Sequence, residues 1–438
     1  MNEQVKIPES ALPRVVIVGG GFGGINLSKL LVKQPFQVVL VDRNNYHTFQ
    51  PLLYQVATAG LEPDSIAEPL RKLLSRHKNF VFRYGNVERI VPENKCIETS
   101  TGYIDYDFLI IANGSKTNYF GNEEIFKNAF PLKQVPQALD LRSHILQNFE
   151  KAAIAKNKSE VLRLMNFVIV GGGPTGVEVA GALGELKKHV LPRDYPELNL
   201  DEMQIHLIEG SGRLLNGMSD YAGKKALDYV KNFDVHVQLG KLVSSYDGEV
   251  VRLNDGSIIT SNTLVWAAGV TGNMIEGLPD KAQRNGRLLV NRVNQVEGVD
   301  NIYAIGDIAL MPTETYPNGH PMLAQVAIQQ GKLLGQNLSK IVNNKATIDF
   351  EYRDLGSMAT VGRNKAVVDL SKTIKFGGLI AWAFWMFIHL FSIMGFRGKL
   401  IVFINWIWNY FTYDRGTRLI IRKFDPKSRK NAELKKSA

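Results

Sequence analysis

The sequence predicts an α/β protein: two parallel-sheet domains built on one repeated plan, one inserted in the other, followed by a helical segment at the carboxy-terminal end. Three observations carry this. A strand, a glycine-rich turn, a helix, a second strand and an acidic residue succeed one another near the start of the chain. The same series returns about 150 residues later, the mark of an internal duplication. An apolar, aromatic stretch then lies close to the end of the chain.

The first series runs from a buried-type strand, Arg14 to Val18, through Gly19-Gly20-Gly21-Phe22-Gly23-Gly24 into a helical run reaching Leu31, then a strand from Phe36 to Val41 that ends in Asp42. Each part has a task in dinucleotide binding. The glycines Gly19, Gly21 and Gly24 let the backbone approach a pyrophosphate, the helix N-terminus stabilises its charge, and the carboxylate holds a ribose diol. A bare GxGxxG is weak evidence; in this complete setting it is strong.

The second series has a strand from Asn166 to Val170, the glycines Gly171, Gly173 and Gly176, a helix through Leu186, and Gln204 to Ile208 leading into Glu209. Each copy closes with an apolar run ending in Ala-x-Gly, FLIIANG at 108 to 114 and TLVWAAG at 263 to 269. The spacing from third glycine to closing glycine is about 90 residues in both, as duplication requires. The sequence therefore predicts two Rossmann-like dinucleotide sites. Glu209 stands where a 2′-phosphate would fall, which favours NAD over NADP, with Arg213 as the neighbouring cation. Glu178, two residues past Gly176, is expected in the first turn of its helix; the matching position in the first copy is neutral Asn26.

Alternating runs between Phe350 and Leu370 read as strands completing the first domain. The expected boundaries are a first domain over 1–120 and 300–370, a second over 121–299, and a carboxy-terminal membrane-anchoring segment over 371–438. The returning part contains an apolar run ending in Gly306-Asp307, then a helix with Pro321 at its first position. Leu323, Val326, Ala327, Leu333 and Leu334 form its apolar face, and Gln325 and Gln329, four apart, share one side near the positive end of its dipole.

The stretch Gly377 to Phe396, followed by LIVFINWIWNYF, is a membrane candidate by length. Trp382, Trp385, Trp406, Trp408, Arg397 and Lys399 suit a headgroup boundary, and His389 reads as packed or interfacial. Of the formal charge of +10, nine Lys/Arg against three Asp/Glu fall between Asp414 and Ala438, beside this stretch. That placement favours an anionic lipid surface over nucleic acid. The one cysteine, Cys96, excludes disulfides, CxxC redox pairs and cysteine-rich metal sites, and the eight scattered histidines give no metal motif. Cys96 follows a Pro92-Glu93-Asn94 turn in a strand-like stretch and reads as buried. MNEQVKIPES has no apolar core of a secretory signal, so the folded body is expected to face the cytoplasm.

Taken together, VVIVGGGFGG (15–24), YHTFQPLLYQVATAGL (46–61), VIVGGGPTGVEVAG (168–181), LVWAAGV (264–270), YAIGDIA (303–309) and LAQVAIQQG (323–331) resemble the two-dinucleotide-binding-domain flavoproteins, and within them the type II NADH:quinone oxidoreductases. The similarity runs from Arg14 to about Arg422. Its most selective part is AQxAxQ at Ala324 to Gln329 joined to an apolar carboxy-terminal segment. One departure is Asn113, where such flavoproteins often have Thr.

The resemblance implies FAD on Gly19, Gly21, Phe22, Gly23, Gly24, Asp42, Arg43, Ala112, Gly114, Gly306, Asp307, Ala324 and Gln325, with Asp307 on the ribityl chain. It implies NADH on Gly171, Gly173, Thr175, Gly176, Glu178, Glu209, Ala268 and Gly269. A quinone would meet Gln325, Gln329, Lys375 and Ile380, and Glu178, Gln325 and Gln329 would serve the chemistry. The implied activity is non-proton-pumping: a hydride from NADH to FAD, then two-electron reduction of menaquinone or ubiquinone. The implied setting is a homodimer lying monotopically on the cytoplasmic face of the inner membrane, with no nucleic-acid partner. The competing enzyme reading is an NADH-dependent flavin reductase for oxygen or a ferredoxin-like protein. Disulfide reductases and sulfide:quinone oxidoreductases are excluded by the want of a second cysteine. A membrane-docked sensor that binds NADH without turnover is the reading from outside enzymology.

Overall fold

A computed structural model describes residues 3–421, 423 and 424. The greater part of the basic run counted between Asp414 and Ala438, residues 425–438, lies outside the described residues. The chain divides into two compact units. Unit 1 comprises Met1–His47, Glu68–Lys116 and Val270–Asp354; unit 2 comprises Thr48–Ala67, Thr117–Gly269 and Leu355–Ala438.

Unit 1 is built on a five-stranded sheet in the order Ile302–Ala304, Phe108–Ile111, Arg14–Val18, Gln37–Asp42, Phe80–Tyr84. All four pairings are parallel. Val15, Val16, Ile17 and Val18 are buried on both faces, as β-branched runs in parallel sheets are. The helix Phe22–Leu31 packs beside Ala324–Val342 so closely that a Cβ on Gly331 would stand 2.7 Å from the Gly23 carbonyl oxygen. Only glycine allows that approach. Cys96 is buried in the strand Cys96–Thr99, as expected.

Unit 2 repeats the plan with Phe130–Pro131, Thr263–Trp266, Phe167–Val170, Ile205–Glu209 and Val235–Leu239, again wholly parallel. The strands Ser357–Thr360 and Ala366–Asp369, expected to complete the first domain, belong instead to unit 2, in an antiparallel sheet with Lys375–Gly378. Packing is the reason. On the helix Pro174–Glu185, Gly181 faces this sheet so nearly that a Cβ there would lie 2.9 Å from the Gly362 nitrogen.

The apolar stretch does not form one long helix. Leu379–Ser392 and Phe396–Thr412 are separate helices of 14 and 17 residues, and Gly378 and Gly395, with φ of +80° and +81°, precede them. Those left-handed conformations favour glycine and interrupt the helical run. At 1.5 Å per residue the helices reach about 21 and 26 Å, short of the roughly 30 Å hydrocarbon layer. Among the described residues no helix is long and apolar enough to cross a membrane.

Trp385 and Trp406, expected at a boundary with headgroups, are buried at 2 % and 8 % exposure. Their rings face each other 5.7 Å apart, because each helix turns this side to the body of unit 2. Trp408 is exposed, as are Arg397, Ile380, Phe396 and Phe411. The segment between Lys187 and Asp201, whose task the sequence does not disclose, receives the chain beyond the second helix. His189 stacks on Tyr413 at 4.0 Å, and Asp194 pairs with Arg418 at 2.7 Å.

Candidate active site: two glycine cradles and a buried glutamate

The two fingerprints adopt one geometry. Gly19 and Gly171 have φ of +106° and +107°, and a Cβ on either would collide with the closing strand, 2.5 Å from the Ala112 oxygen and 2.6 Å from the Ala267 oxygen. This contact explains why each closing run ends in small residues. Gly24 and Gly176 stand over those first glycines, where a Cβ would fall 1.9 and 1.8 Å from their carbonyl oxygens. Gly21 and Gly173 differ from both: a Cβ there would meet nothing within 4 Å. Packing within the chain does not require glycine at these two positions, so the open space fits a group that approaches the backbone from outside.

The acids are placed alike. Asp42 accepts from the Gly20 N–H at 2.6 Å and the Asn44 N–H at 2.7 Å; Glu209 accepts from the N–H groups of Gly172 and Ser211. Burial raises the Asp42 carboxyl above the ordinary aspartate value, and the Asn44 and Gly20 N–H groups pull it partly back. Neither cradle helix has a side-chain cap or an acidic residue in its first turn. Both N-termini thus present positive dipole ends to an anion with no side chain capping them. Arg213, the neighbouring cation that could have favoured a 2′-phosphate, is turned to Asp220, Asn216 and the Met218 carbonyl.

Unit 1 gathers the residues expected around FAD. Gly306, at φ +74°, opens the turn Gly306–Ile308, and Ser115 Oγ donates to Asp307. Gly114 is also left-handed with open space at its Cβ, and Phe22, Gly23 and Ala112 lie with the cradle, whereas Arg43 is exposed. Asn113, the departure from the family pattern, donates to the Asn273 carbonyl at 2.6 Å while its Oδ1 stays buried without a partner.

Two residues here escape sequence reasoning. Gln330, 1 % exposed, accepts from the Gly306 N–H at 2.7 Å and so fixes the Gly-Asp turn. His47, 2 % exposed, lies 2.8 Å from the Gly20 carbonyl through Nδ1, leaving Nε2 without a partner; burial lowers its pKa. The only sequence signal for Gln330 is its place beside Gln329.

The helix expected to start at Pro321 begins at Ala324, with exposed Leu323 as its cap. The Leu323 N–H bonds the Pro321 carbonyl, a local turn that holds these residues outside the helix. Gln325 is therefore at the second helical position. The Gln329 amide is already engaged at both ends, donating to the Arg353 carbonyl at 2.8 Å and accepting from its N–H at 3.0 Å.

In unit 2, Thr175 and Gly269 are exposed and Ala268 is half-buried at the closing strand. Glu178 corrects an expectation. The helix starts at Pro174, so Glu178 is its fifth residue, in the second turn, and it is 7 % exposed. Burial pushes its carboxyl well above the usual range, with the Thr360 backbone and the Trp385 indole opposing the shift. Trp385 Nε1 makes no hydrogen bond of normal geometry, so its pull is weak. Glu178 is thus a buried carboxyl whose protonated form the surroundings favour. Lys375 and Ile380 are both exposed, at the passage from the last strand into the first carboxy-terminal helix.

Comparisons with known proteins agree with this geometry. Residues 13–331 match the family described as pyridine nucleotide-disulphide oxidoreductase, and residues 355–413 match the NDH2 C-terminal domain. The type II NADH:quinone oxidoreductase Ndh of Mycobacterium tuberculosis is 34% identical over 92% of this chain and 89% of its own length. The type II NADH:quinone oxidoreductase of Haemophilus influenzae is 31% identical over 84% of this chain and 88% of its own. A solved structure of NDH2 from Plasmodium falciparum in complex with NADH shares the fold, with a TM-score of 0.85, 22% identity, and coverage of 94% of this chain and 100% of that one. The chain belongs to the pyridine nucleotide-disulphide oxidoreductases and, among them, to the type II NADH:quinone oxidoreductases.

Proposed function

We propose that this chain oxidises NADH and reduces a quinone, with FAD held by the unit 1 cradle and NADH by the unit 2 cradle. The observation that supports this most is the pair of open second-glycine positions, Gly21 and Gly173, at uncapped helix N-termini, each beside an acid suited to a ribose diol. When bound, the flavin takes up the hydride of NADH and returns two electrons to the acceptor.

The chain's own residues bind, orient and supply protons. Gly19, Gly21 and Gly24 bring backbone to the pyrophosphate, Asp42 takes the adenosine ribose, and Asp307 in its Gln330-fixed turn takes the ribityl chain. Gln325, at the start of its helix, serves the flavin and acceptor side. Gln329 acts by holding Arg353, with less amide capacity left for a quinone oxygen. Glu209 selects NADH by repelling a 2′-phosphate, and Glu178 keeps a proton available in an apolar setting.

The proposal also places the exposed side of Leu379–Ser392 and Phe396–Thr412 on a lipid surface. Ile380, Phe396 and Phe411 would enter the headgroup boundary, with Arg397 and Lys399 beside them. Lys375 and Ile380 stand where a lipid-soluble acceptor would arrive. A homodimer on the cytoplasmic face of the inner membrane, reducing menaquinone or ubiquinone, completes the reading.

Anaerobic stopped-flow spectroscopy tests it. NADH should bleach the flavin band faster than NADPH, and a menaquinone or ubiquinone analogue should restore it. Restoration chiefly by oxygen or ferredoxin would replace the quinone with a soluble acceptor. Slow restoration by every acceptor would make the chain a sensor.

A further inference from the structure

We infer that Asn113, standing where related flavoproteins often have Thr, adds a contact of its own to the flavin site: its Oδ1 accepts a hydrogen bond from a ribityl hydroxyl of FAD. This rests on the reading that the unit 1 cradle holds FAD. All the residues concerned belong to unit 1.

The orientation of the amide is decided by its neighbour. A backbone carbonyl can only accept, so the group that meets the Asn273 carbonyl at 2.6 Å must be Nδ2. The Asn273 N–H in turn donates to the Gly114 carbonyl at 3.0 Å, so residues 113 and 114 are both tied to Asn273. Oδ1 is left at the other end of a planar group that cannot turn over without losing its donor contact. It is buried, and among the described residues no group donates to it. Such an acceptor destabilises the fold until a donor reaches it. A threonine would place donor and acceptor on one oxygen; asparagine separates them, Nδ2 for the protein and Oδ1 for the cofactor.

The sheet order says which donor. Phe108–Ile111, the strand leading to Asn113, lies between Arg14–Val18 and Ile302–Ala304. On one side the first strand ends at Gly19, where a Cβ would stand 2.8 Å from the Asn113 Cα; this is the pyrophosphate side. On the other, Ile302–Ala304 runs on to Gly306 and Asp307, and Ser115, two residues past Asn113, donates to the Asp307 carboxylate. The adenosine end is set apart at Asp42, on the strand beyond Arg14–Val18. Asn113 therefore falls between the glycines assigned to the diphosphate and the acid assigned to the ribityl chain. The diphosphate has no donor to give, and the ribityl hydroxyls are the donors that FAD carries next to it.

The test reads flavin release from the full-length flavoprotein, by the fluorescence that appears on serial dilution. It uses FAD and FAD analogues lacking the 2′, 3′ or 4′ ribityl hydroxyl. Asn113→Ala should hold FAD about tenfold less tightly than the parent, the value of one buried hydrogen bond. In the parent, loss of the hydroxyl that Oδ1 meets should weaken binding by a similar factor, and in Asn113→Ala that difference should vanish. Asn113→Asp gives up the donor to Asn273 and keeps an acceptor, so it should hold FAD less tightly yet still discriminate against the same analogue. Asn113→Leu, close to asparagine in size, provides the same comparison if the alanine variant does not fold. A variant that weakens FAD and all three analogues by one factor would show that Asn113 only braces Asn273, and the inference would fall. Unchanged release from Asn113→Ala would also overturn it, leaving Oδ1 to water. Parent protein that takes up no FAD would instead strike the proposed function itself.

Discussion

The two cradles share the backbone conformation of their first glycines and the close contacts of their third, and they differ in what surrounds the helix that leaves them. Gly19 and Gly171, Gly24 and Gly176, and Asp42 and Glu209 repeat one another in conformation and contact. Two residues past the third glycine the copies part. Asn26 is half-buried and donates to the Phe22 carbonyl of its own helix, whereas Glu178 is buried against a sheet and helix that unit 1 lacks. Nucleotide binding is therefore the shared inheritance of the fold, and the titrating group is an addition made where unit 2 acquired a second layer.

The sharpest way to break this comparison is at the third glycines. Gly24→Ala should yield protein without flavin, since its Cβ cannot stand 1.9 Å from the Gly19 oxygen. Gly176→Ala should keep the yellow colour but lose bleaching by NADH. Absorbance of the purified variants before and after NADH decides it; loss of flavin from both would show that the cradles do not act separately.

A smaller effect is expected at the point of divergence. Glu178→Gln keeps the shape and removes the proton, so quinone reduction should fall on the order of 100-fold while bleaching by NADH is preserved. Asn26→Asp should leave both half-reactions within about twofold of the parent, because its contact is a single hydrogen bond on a half-exposed helix.

Burial lowers the pKa of His47 and His320 in unit 1, and the histidines held furthest down lie in unit 2. His144, His206 and His389, all in unit 2, have pKa values held down to about 4, burial being the first cause in each. Between that value and the ordinary 6.5 the unfolded chain binds protons that the fold refuses. Stability is therefore full above pH 6.5 and is lost as pH falls toward 4. Each histidine contributes about 1.4 kcal/mol per pH unit within this window. Denaturant melts at pH 7.5, 6 and 5 should show His144→Phe with a shallower acid slope than the parent.

The mildest test separates fold from ligand. Gly21→Ala and Gly173→Ala meet no protein atom within 4 Å, so melting temperatures without nucleotide should be unchanged. Affinity for the nucleotide of the altered cradle should fall about fivefold, roughly 1 kcal/mol, and the other cradle should not respond. An altered melting temperature would mean the second-glycine space serves the protein itself.

What the sequence disclosed follows from locality. Each cradle is written within about 40 consecutive residues, because a tight turn, a helix start and a strand-end acid impose their own residue types. The surroundings of Glu178 could not be read that way: Tyr54, Thr360 and Trp385 come from distant parts of the chain. Gln329 reads as a quinone contact in the sequence, where nothing near it announces the Arg353 backbone as a partner of its amide. The same limit hid the inward turn of Trp385 and Trp406, since composition cannot tell which side of an aromatic helix meets protein. Gly395 carried a legible warning, a glycine inside an apolar run, yet only its positive φ establishes that the run is divided.

The helix Pro174–Glu185 begins at the second cradle and ends at a pocket within unit 2, where Ala182 and Glu185 share the lining with Tyr54 and Trp406. Twelve residues make a stiff strut about 18 Å long. A displacement at its cradle end must be passed along the axis or absorbed by distorting hydrogen bonds within the helix. Thermodynamic reciprocity then gives the arrangement a property that neither end has alone: whatever bias an occupied cradle exerts on the pocket, an occupied pocket returns to the cradle in equal measure.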